Sequence, residues 1–335
     1  MQSSASRVSS LAWKGALVLA IAAGGLWTAT HGVAGVAWKD VLTVLRGVAL
    51  SQLVLLAAIW LGGLGIYSIV LSAALPGLGV RRSLLLNLSG SAVANVVPLG
   101  GAVATAVNWR MVRTWGHSNI SFITFCVLTN ALDVTTKLVL PLVAVATFVA
   151  LSLHVPTVLW VVASACAGVL VLALGVQAVV LRPGREGRHM ASSRSAVALA
   201  RLRESGRLVR DLLGVHWARL LPGSAGYIAA QVALMYFSLR AVGLDVPVSV
   251  VLMAAAIERL GTLVPLTPGG TGVAEIGTVA WLVFSGLDPV LVVAGVLLYR
   301  VFLIAMEIPV GAVLLGGWAW LQRLPAARPV PRVTA

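Results

Sequence analysis

The chain has 335 residues, 59% of them hydrophobic and 10% charged, with a mean hydropathy of +1.00. That composition excludes a soluble globular domain and describes a polytopic helical membrane protein. The formal charge of +14 has the size expected of a nucleic-acid binder but not the distribution, because most arginines sit in short loops between apolar spans, so nucleic acid is not an expected partner.

Residues 1–10 are polar and carry Arg7; Lys14 then opens an apolar run to about Thr30. More spans follow, so the run reads as an uncleaved first span rather than a signal peptide. Lys39, Asp40 and Arg46 mark a short loop, and a second span runs from about Val48 to Leu75, stopped by Pro76-Gly77. After Arg81 and Arg82 come two short apolar arms, about 84–97 and 102–109, separated by Val-Pro-Leu-Gly-Gly at 97–101. Pro98, Gly100 and Gly101 cannot continue a helix, and arms of this length fall short of the ~30 Å of hydrocarbon. A re-entrant hairpin over about 84–113 is the expected structure, closed by Arg110 and Arg113. A third span covers about 120–153 and contains Asp133, Lys137 and Pro141; His154-Val155-Pro156 turns the chain into a fourth span, about 157–181.

Residues 182–219 form the one extended polar segment, with nine arginines against Glu186, Glu204 and Asp211. Leu199, Leu202, Val209, Leu212 and Leu213 recur within it at helical spacing, which predicts an amphipathic helix lying on anionic lipid. A fifth span covers about 220–242. The second break is Val264–Glu275, VPLTPGGTGVAE, with arms at about 247–263 and 272–284 inside a second hairpin, about 247–286. Pro265, Pro268, Gly269, Gly270 and Gly272 interrupt the backbone there. Such a break at membrane depth is tolerated only where it is buried in protein or lines a wet cavity. The helix starting beyond it offers free N–H groups suited to an anion. A sixth span, about 289–321, holds Arg300, Glu307 and Pro309, and 322–335 is a basic tail.

The two Val-Pro-Leu tripeptides lie 167 residues apart, about half the chain. Matched Gly/Pro-interrupted segments in the two halves are the sequence pointer to a repeat-built transporter. With both termini in the cytoplasm, 18 of the 24 basic residues face inside. Each half then crosses the membrane three times, so the halves, 1–153 and 154–321, are inverted. The expected fold is an all-α membrane protein with about six transmembrane helices and two re-entrant helical hairpins.

Ionisable residues within apolar segments need a partner or water. Asp133 and Lys137, four apart, share a helix face. Glu258 and Arg259 are adjacent, about 100° apart on a helix, so each is expected to pair elsewhere, with Arg300 and Glu307 as candidates. Glu275 stands in the first turn after the second break, placed to complement the dipole or to hold Arg259 or Arg300. The hairpin tips are expected to meet near the midplane, where Arg259, Arg300 and the helix N-terminus after Gly270 hold an anionic headgroup gathered by Arg110 and Arg113. No catalytic set appears, no phosphate-cradling loop indicates an ATP-driven pump, and the five histidines (His31, His117, His154, His189, His216) have no metal-ligand spacing. Neither a metal nor a cofactor is expected. Cys126 and Cys166 both fall in apolar spans, which argues against a disulfide.

VPLTPGGTGVAE, preceded by Glu258-Arg259 and followed by Tyr299-Arg300, resembles the lysylphosphatidylglycerol synthase transmembrane (flippase-like) family. NVVPLGG with Arg110, Arg113 and Gly116 is similar to its first-half motif. By this resemblance Glu258, Arg259, Pro268, Gly269, Gly270, Gly272, Glu275 and Arg300 fall on the family's recurrent positions. The acidic residue that many members carry after the first-half glycine has no counterpart in Ala102-Val103-Ala104. Bifunctional members add an aminoacyl-transferase domain, which is not expected after Leu321. The resemblance implies movement of an anionic phospholipid or polyprenyl-linked lipid between leaflets; the absence of a catalytic set suggests no enzyme, and the cytosolic arginine excess with no organelle signal suggests a bacterial plasma membrane. A non-transporting partner of a lipid-modifying glycosyltransferase, docked through 182–219, is the alternative.

Overall fold

The computed structural model describes residues 35–97, 100–180, 194–263 and 272–323. The predicted first span, Pro98, most of the second break (264–271), residues 181–193 and the tail lie outside these residues. All regular structure among them is helical: α1 (Trp38–Arg46), α2 (Leu50–Ala74), α3 (Val80–Val96), α4 (Gly100–Thr114), α5 (Asn119–Ala150), α6 (Thr157–Val180), α7 (Arg194–Ala241), α8 (Val248–Gly261), α9 (Val273–Phe284), α10 (Pro289–Arg300) and α11 (Glu307–Leu321). A π-helical turn, Val301–Ala305, joins the last two. Among the described residues five stretches are long and apolar enough to cross a membrane: Leu50–Ala74, Asn119–Ala150, Thr157–Gly175, Gly206–Ala241 and Pro289–Leu321. They coincide with predicted spans two to six, and the chain is a multi-pass membrane protein.

Local chemistry sets several helix ends. Ser118 accepts a hydrogen bond from the Ser121 N–H at 3.1 Å and starts α5; Asp288 accepts from the Leu291 N–H at 3.0 Å, with Pro289 next, and starts α10. Gly77 and Gly243, at φ +88° and +95°, turn the chain after α2 and α7.

Three expectations need correction. The loop at Lys39–Arg46 is a helix, because Trp38, Val41 and Leu45 share a face and Val41 is fully buried. The hairpin arms α3 and α4 are 17 and 15 residues long, longer than predicted; at 1.5 Å per residue the longer arm still spans only about 26 Å. Finally, the amphipathic segment is not a separate helix on lipid. It runs without interruption into the fifth span as the 48-residue α7, through Pro222. The proline leaves the Ala218 carbonyl without its helical donor. Packing compensates: Leu220 is fully buried, and Val209, Leu212 and Leu213 pack with Met111, Val112 and Phe122 in a protein core. The basic side chains Arg207, Arg210 and Arg219 face outward.

The centre of the molecule is the α2–α7 crossing. Gly63 faces Ala230, Tyr67 stacks on Tyr227 with ring centroids 4.4 Å apart, Ile66 faces Gly226, and Val70 faces Gly223. One index rises as the other falls, so the helices are antiparallel. The small residues let the backbones approach as they do in membrane interiors.

Two helical hairpins flank this crossing. In α3–α4, a Cβ added at Gly90 would lie 2.7 Å from the Asn108 amide, and one at Gly100 would collide with the Ala94 carbonyl. In α8–α9, a Cβ at Gly261 would lie 2.7 Å from Ala274 Cα, and the Trp281 indole N–H donates to the Val250 carbonyl at 3.0 Å. Each hairpin packs on the long span of the other half: α8 on α5, and α3 on α11.

Candidate functional site

Glu258 and Arg259 occupy the last turn of α8, and Glu275 the first turn of α9, so both arms of the second hairpin bring charge to the break. Arg300 approaches from the end of α10. All four are buried; Glu258 is 1% exposed. The Arg300 guanidinium joins the arms, with Nη1 3.1 Å from Glu258 Oε1 and Nε 2.8 Å from Glu275 Oε1. Glu275 does both things anticipated for it. While Oε1 meets Arg300, Oε2 accepts from the Gly272 N–H at 2.6 Å, capping α9. Gly272 has φ +98°, a conformation that favours glycine.

Adjacent Glu258 and Arg259 do pair, contrary to the helix-geometry expectation: Arg259 Nε donates to Glu258 Oε2 at 2.9 Å. Two side chains 100° apart on an axis still meet when one is a long arginine stem that curls back, and burial makes an unpaired guanidinium too costly. The Tyr299 hydroxyl points at the same oxygen from 3.5 Å.

The cluster holds two carboxylates and two guanidinium groups, so it is neutral as built rather than the positive site anticipated. Its bonding is nevertheless incomplete. Arg300 Nε and Nη2 make no aligned hydrogen bond among the described residues, although Nε sits within ion-pair distance. A guanidinium held by charge but with N–H vectors unfilled can receive further acceptor oxygens.

Glu307, on the next two turns of the same span, faces elsewhere. It accepts a hydrogen bond from Ser91 on α3, and Asn95 donates to Ser91 at 3.3 Å. Gly311 permits this: a Cβ there would collide with the Leu88 carbonyl and meet Ala92 Cβ at 2.7 Å. The final span therefore touches the break region of both hairpins, through Arg300 for one and Glu307 for the other. The π turn between them, in which the Met306 N–H bonds the Val301 carbonyl at 2.8 Å, precedes Pro309, which denies the Ala305 carbonyl its helical donor.

The remaining candidates lie apart. Asp133 and Lys137 form the expected pair at 2.7 Å on α5, and no ion pair ties them to the hairpin cluster among the described residues. Arg110 and Arg113 are exposed near the end of α4, where Arg113 Nη1 donates to the His117 carbonyl at 2.9 Å; neither meets the cluster. Gly100 and Gly101 open α4. Pro98, Pro265, Pro268, Gly269 and Gly270 lie outside the described residues. Sequence reading missed Ser91, Asn95, Trp60 and Gln231. A signal existed: Ser91 and Asn95 are polar at i, i+4 in an arm that ends at a Gly/Pro break.

Beside these groups an apolar groove of about 570 Å³ runs between α5, α7 and α8, lined by Thr136, Val139, Ile228, Val232, Tyr236 and Leu252 among others. Its Thr136 end adjoins the Asp133–Lys137 pair.

A family model described as the lysylphosphatidylglycerol synthase TM region matches residues 15–311, which take in both hairpins and the whole charge cluster. Among curated proteins no relative matches the chain. The chain belongs to the lysylphosphatidylglycerol synthase transmembrane-region family, and is a membrane protein linked to lipid metabolism.

Proposed function

We propose that this protein is a lipid flippase or scramblase, a carrier rather than an enzyme, that moves an anionic phospholipid or polyprenyl-linked lipid between leaflets of a bacterial plasma membrane. The observation that carries the reading is the Arg300 clamp: a buried guanidinium held by carboxylates from both arms of an interrupted hairpin, with donors unfilled among the described residues. An intramembrane ionisable cluster of this kind is costly unless it serves a pathway. A phosphate displacing Glu275 from Arg300 would exchange one oxyanion for another; the freed carboxylate would keep its bond to the Gly272 N–H but lose its counter-ion, a cost that water entering with the headgroup has to offset. The apolar groove between α5, α7 and α8 supplies a place for acyl chains, although none of the four clamp residues lines it.

Inverted repeats with two re-entrant hairpins support the same reading. Exchanging α2 with α7, α3 with α8, α4 with α9 and α5 with α10–α11 carries several of the packings onto one another: α5 on α8 becomes α11 on α3, α3 on α4 becomes α8 on α9, and α2 on α7 maps onto itself. Alternating access by rocking of inverted halves follows from that arrangement. Charge bias puts both termini in the cytoplasm. The outward basic side chains Arg207 and Arg210 suit the docking of a lipid-modifying enzyme, as an addition to transport.

The test is reconstitution into liposomes carrying fluorescent phosphatidylglycerol, with a membrane-impermeant quencher added outside. Protein-dependent exposure of inner-leaflet probe supports the reading; rates equal to protein-free vesicles overturn it.

A further inference from the structure

Glu307 is a buried acid with no ion-pair partner among the described residues, 6% exposed. It needs an account, because an isolated carboxylate in a low-dielectric interior costs several kcal/mol or more. The groups around it come from every element it touches. From α3, Ser91 donates to it and Asn95 stands behind Ser91. From α2 and α7, Trp60 and Gln231 line one small cavity together with Glu307, Tyr227 and Leu303. Trp60 and Gln231 are both more than nine-tenths buried; Trp60 Nε1 is directed at Glu307 without an aligned hydrogen bond, and Gln231 Oε1 has no hydrogen-bond partner among the described residues. All these groups are uncharged. The charge that bears on Glu307 is the Arg259 guanidinium on α8, already bonded to Glu258.

The orphans form a complementary set. The indole N–H can only donate, and the amide oxygen can only accept. A carboxylate, which only accepts, answers the indole but leaves the amide oxygen facing an anion. A carboxylic acid answers both: its carbonyl oxygen takes the indole N–H and its O–H reaches the amide oxygen, directly or through one water.

We propose that Glu307 is a proton-binding site, loaded in the conformation described, and that its loading is coupled to movement of the lipid. This rests on the carrier reading above. The π turn and Pro309 place the site on the same span as Arg300, seven residues away, so a shift of that span moves the proton site and the headgroup clamp together.

Two measurements separate the site from the coupling. The first is infrared difference spectroscopy of the purified protein across pH. The wild type should show the C=O stretch of a buried protonated carboxylic acid at neutral pH; Glu307→Gln should lack it, and Gln231→Leu should shift it. Absence of the band, or its persistence in Glu307→Gln, overturns the site. Gln231→Leu leaves the acid in place and decides the matter if Glu307→Gln fails to fold. The second is lipid movement in vesicles with a transmembrane pH gradient. A one-unit gradient should shift the leaflet distribution of labelled phosphatidylglycerol by up to about tenfold, the ratio a single coupled proton supplies, and Glu307→Gln should exchange lipid without responding. Wild-type movement indifferent to pH, or responding instead to sodium, overturns the coupling while leaving the carrier reading intact. A wild type with the infrared band and no lipid movement overturns the carrier reading and leaves the proton site standing.

Discussion

The two hairpins share a shape and differ in chemistry. In α8–α9 the arms end in Glu258, Arg259 and Glu275, tied together by Arg300. In α3–α4 the described arms offer Ser91, backed by Asn95, and the acid that Ser91 meets, Glu307, is supplied by the other half. The first hairpin is fitted by close contact: Gly90, Gly100 and the crossing Gly311 leave no room for a side chain. The second is close-packed too, at Gly261 against Ala274, but adds charge to the fit. Two hairpins of like shape therefore need not carry the same site. One half builds the ionic clamp, the other a neutral polar patch, and a single span carries a residue to each.

That contrast can be broken most strongly at the clamp. Glu258→Gln leaves Arg259 and Arg300 buried with one carboxylate fewer, and should cost about 3–5 kcal/mol. Thermal unfolding in detergent should show the loss. Substituting Glu258, Arg259, Glu275 and Arg300 together by apolar residues should recover much of it while abolishing lipid movement. At the first hairpin the expected loss is steric. Gly311→Leu drives a side chain into the Leu88 carbonyl and should cost about 1–3 kcal/mol or more, with Glu307 pulled from Ser91. A cysteine pair engineered at this crossing would report the separation. Gly272→Ala forces an L-residue to φ +98° and should cost about 1–3 kcal/mol, read as lowered unfolding temperature, without removing a charge. Asp133→Asn is the weakest perturbation. Its side chain is 42% exposed, and the pair with Lys137 should be worth only about 0–1 kcal/mol. A loss comparable to that of Glu258→Gln would show that the clamp extends to α5.

Much of the fold was legible. Hydropathy placed four spans within a few residues and the C-terminal end of a fifth, because the hydrocarbon thickness dictates their length. Pro/Gly interruptions located both hairpins, and scarcity of charge singled out the clamp residues, since four ionised groups in apolar sequence must find one another. What escaped was contact-dependent. The continuity of α7 across Pro222 depends on Leu220 and Gly223 finding partners on the protein rather than in lipid. The Glu258–Arg259 pair depends on side-chain reach, which backbone angles do not report. The surroundings of Glu307 come from α2, α3 and α7, helices far apart in sequence, and are made of neutral polar residues that hydropathy barely registers.

The central claim is that a partly filled arginine clamp at an interrupted hairpin handles an anionic headgroup. Arg300→Lys tests it most directly, because lysine keeps the charge that holds Glu258 and Glu275 but loses the fork that meets a phosphate. In liposomes with fluorescent phosphatidylglycerol, the account predicts a folded variant with an unfolding temperature near wild type and lipid movement reduced at least tenfold. Wild-type movement in folded Arg300→Lys would contradict it.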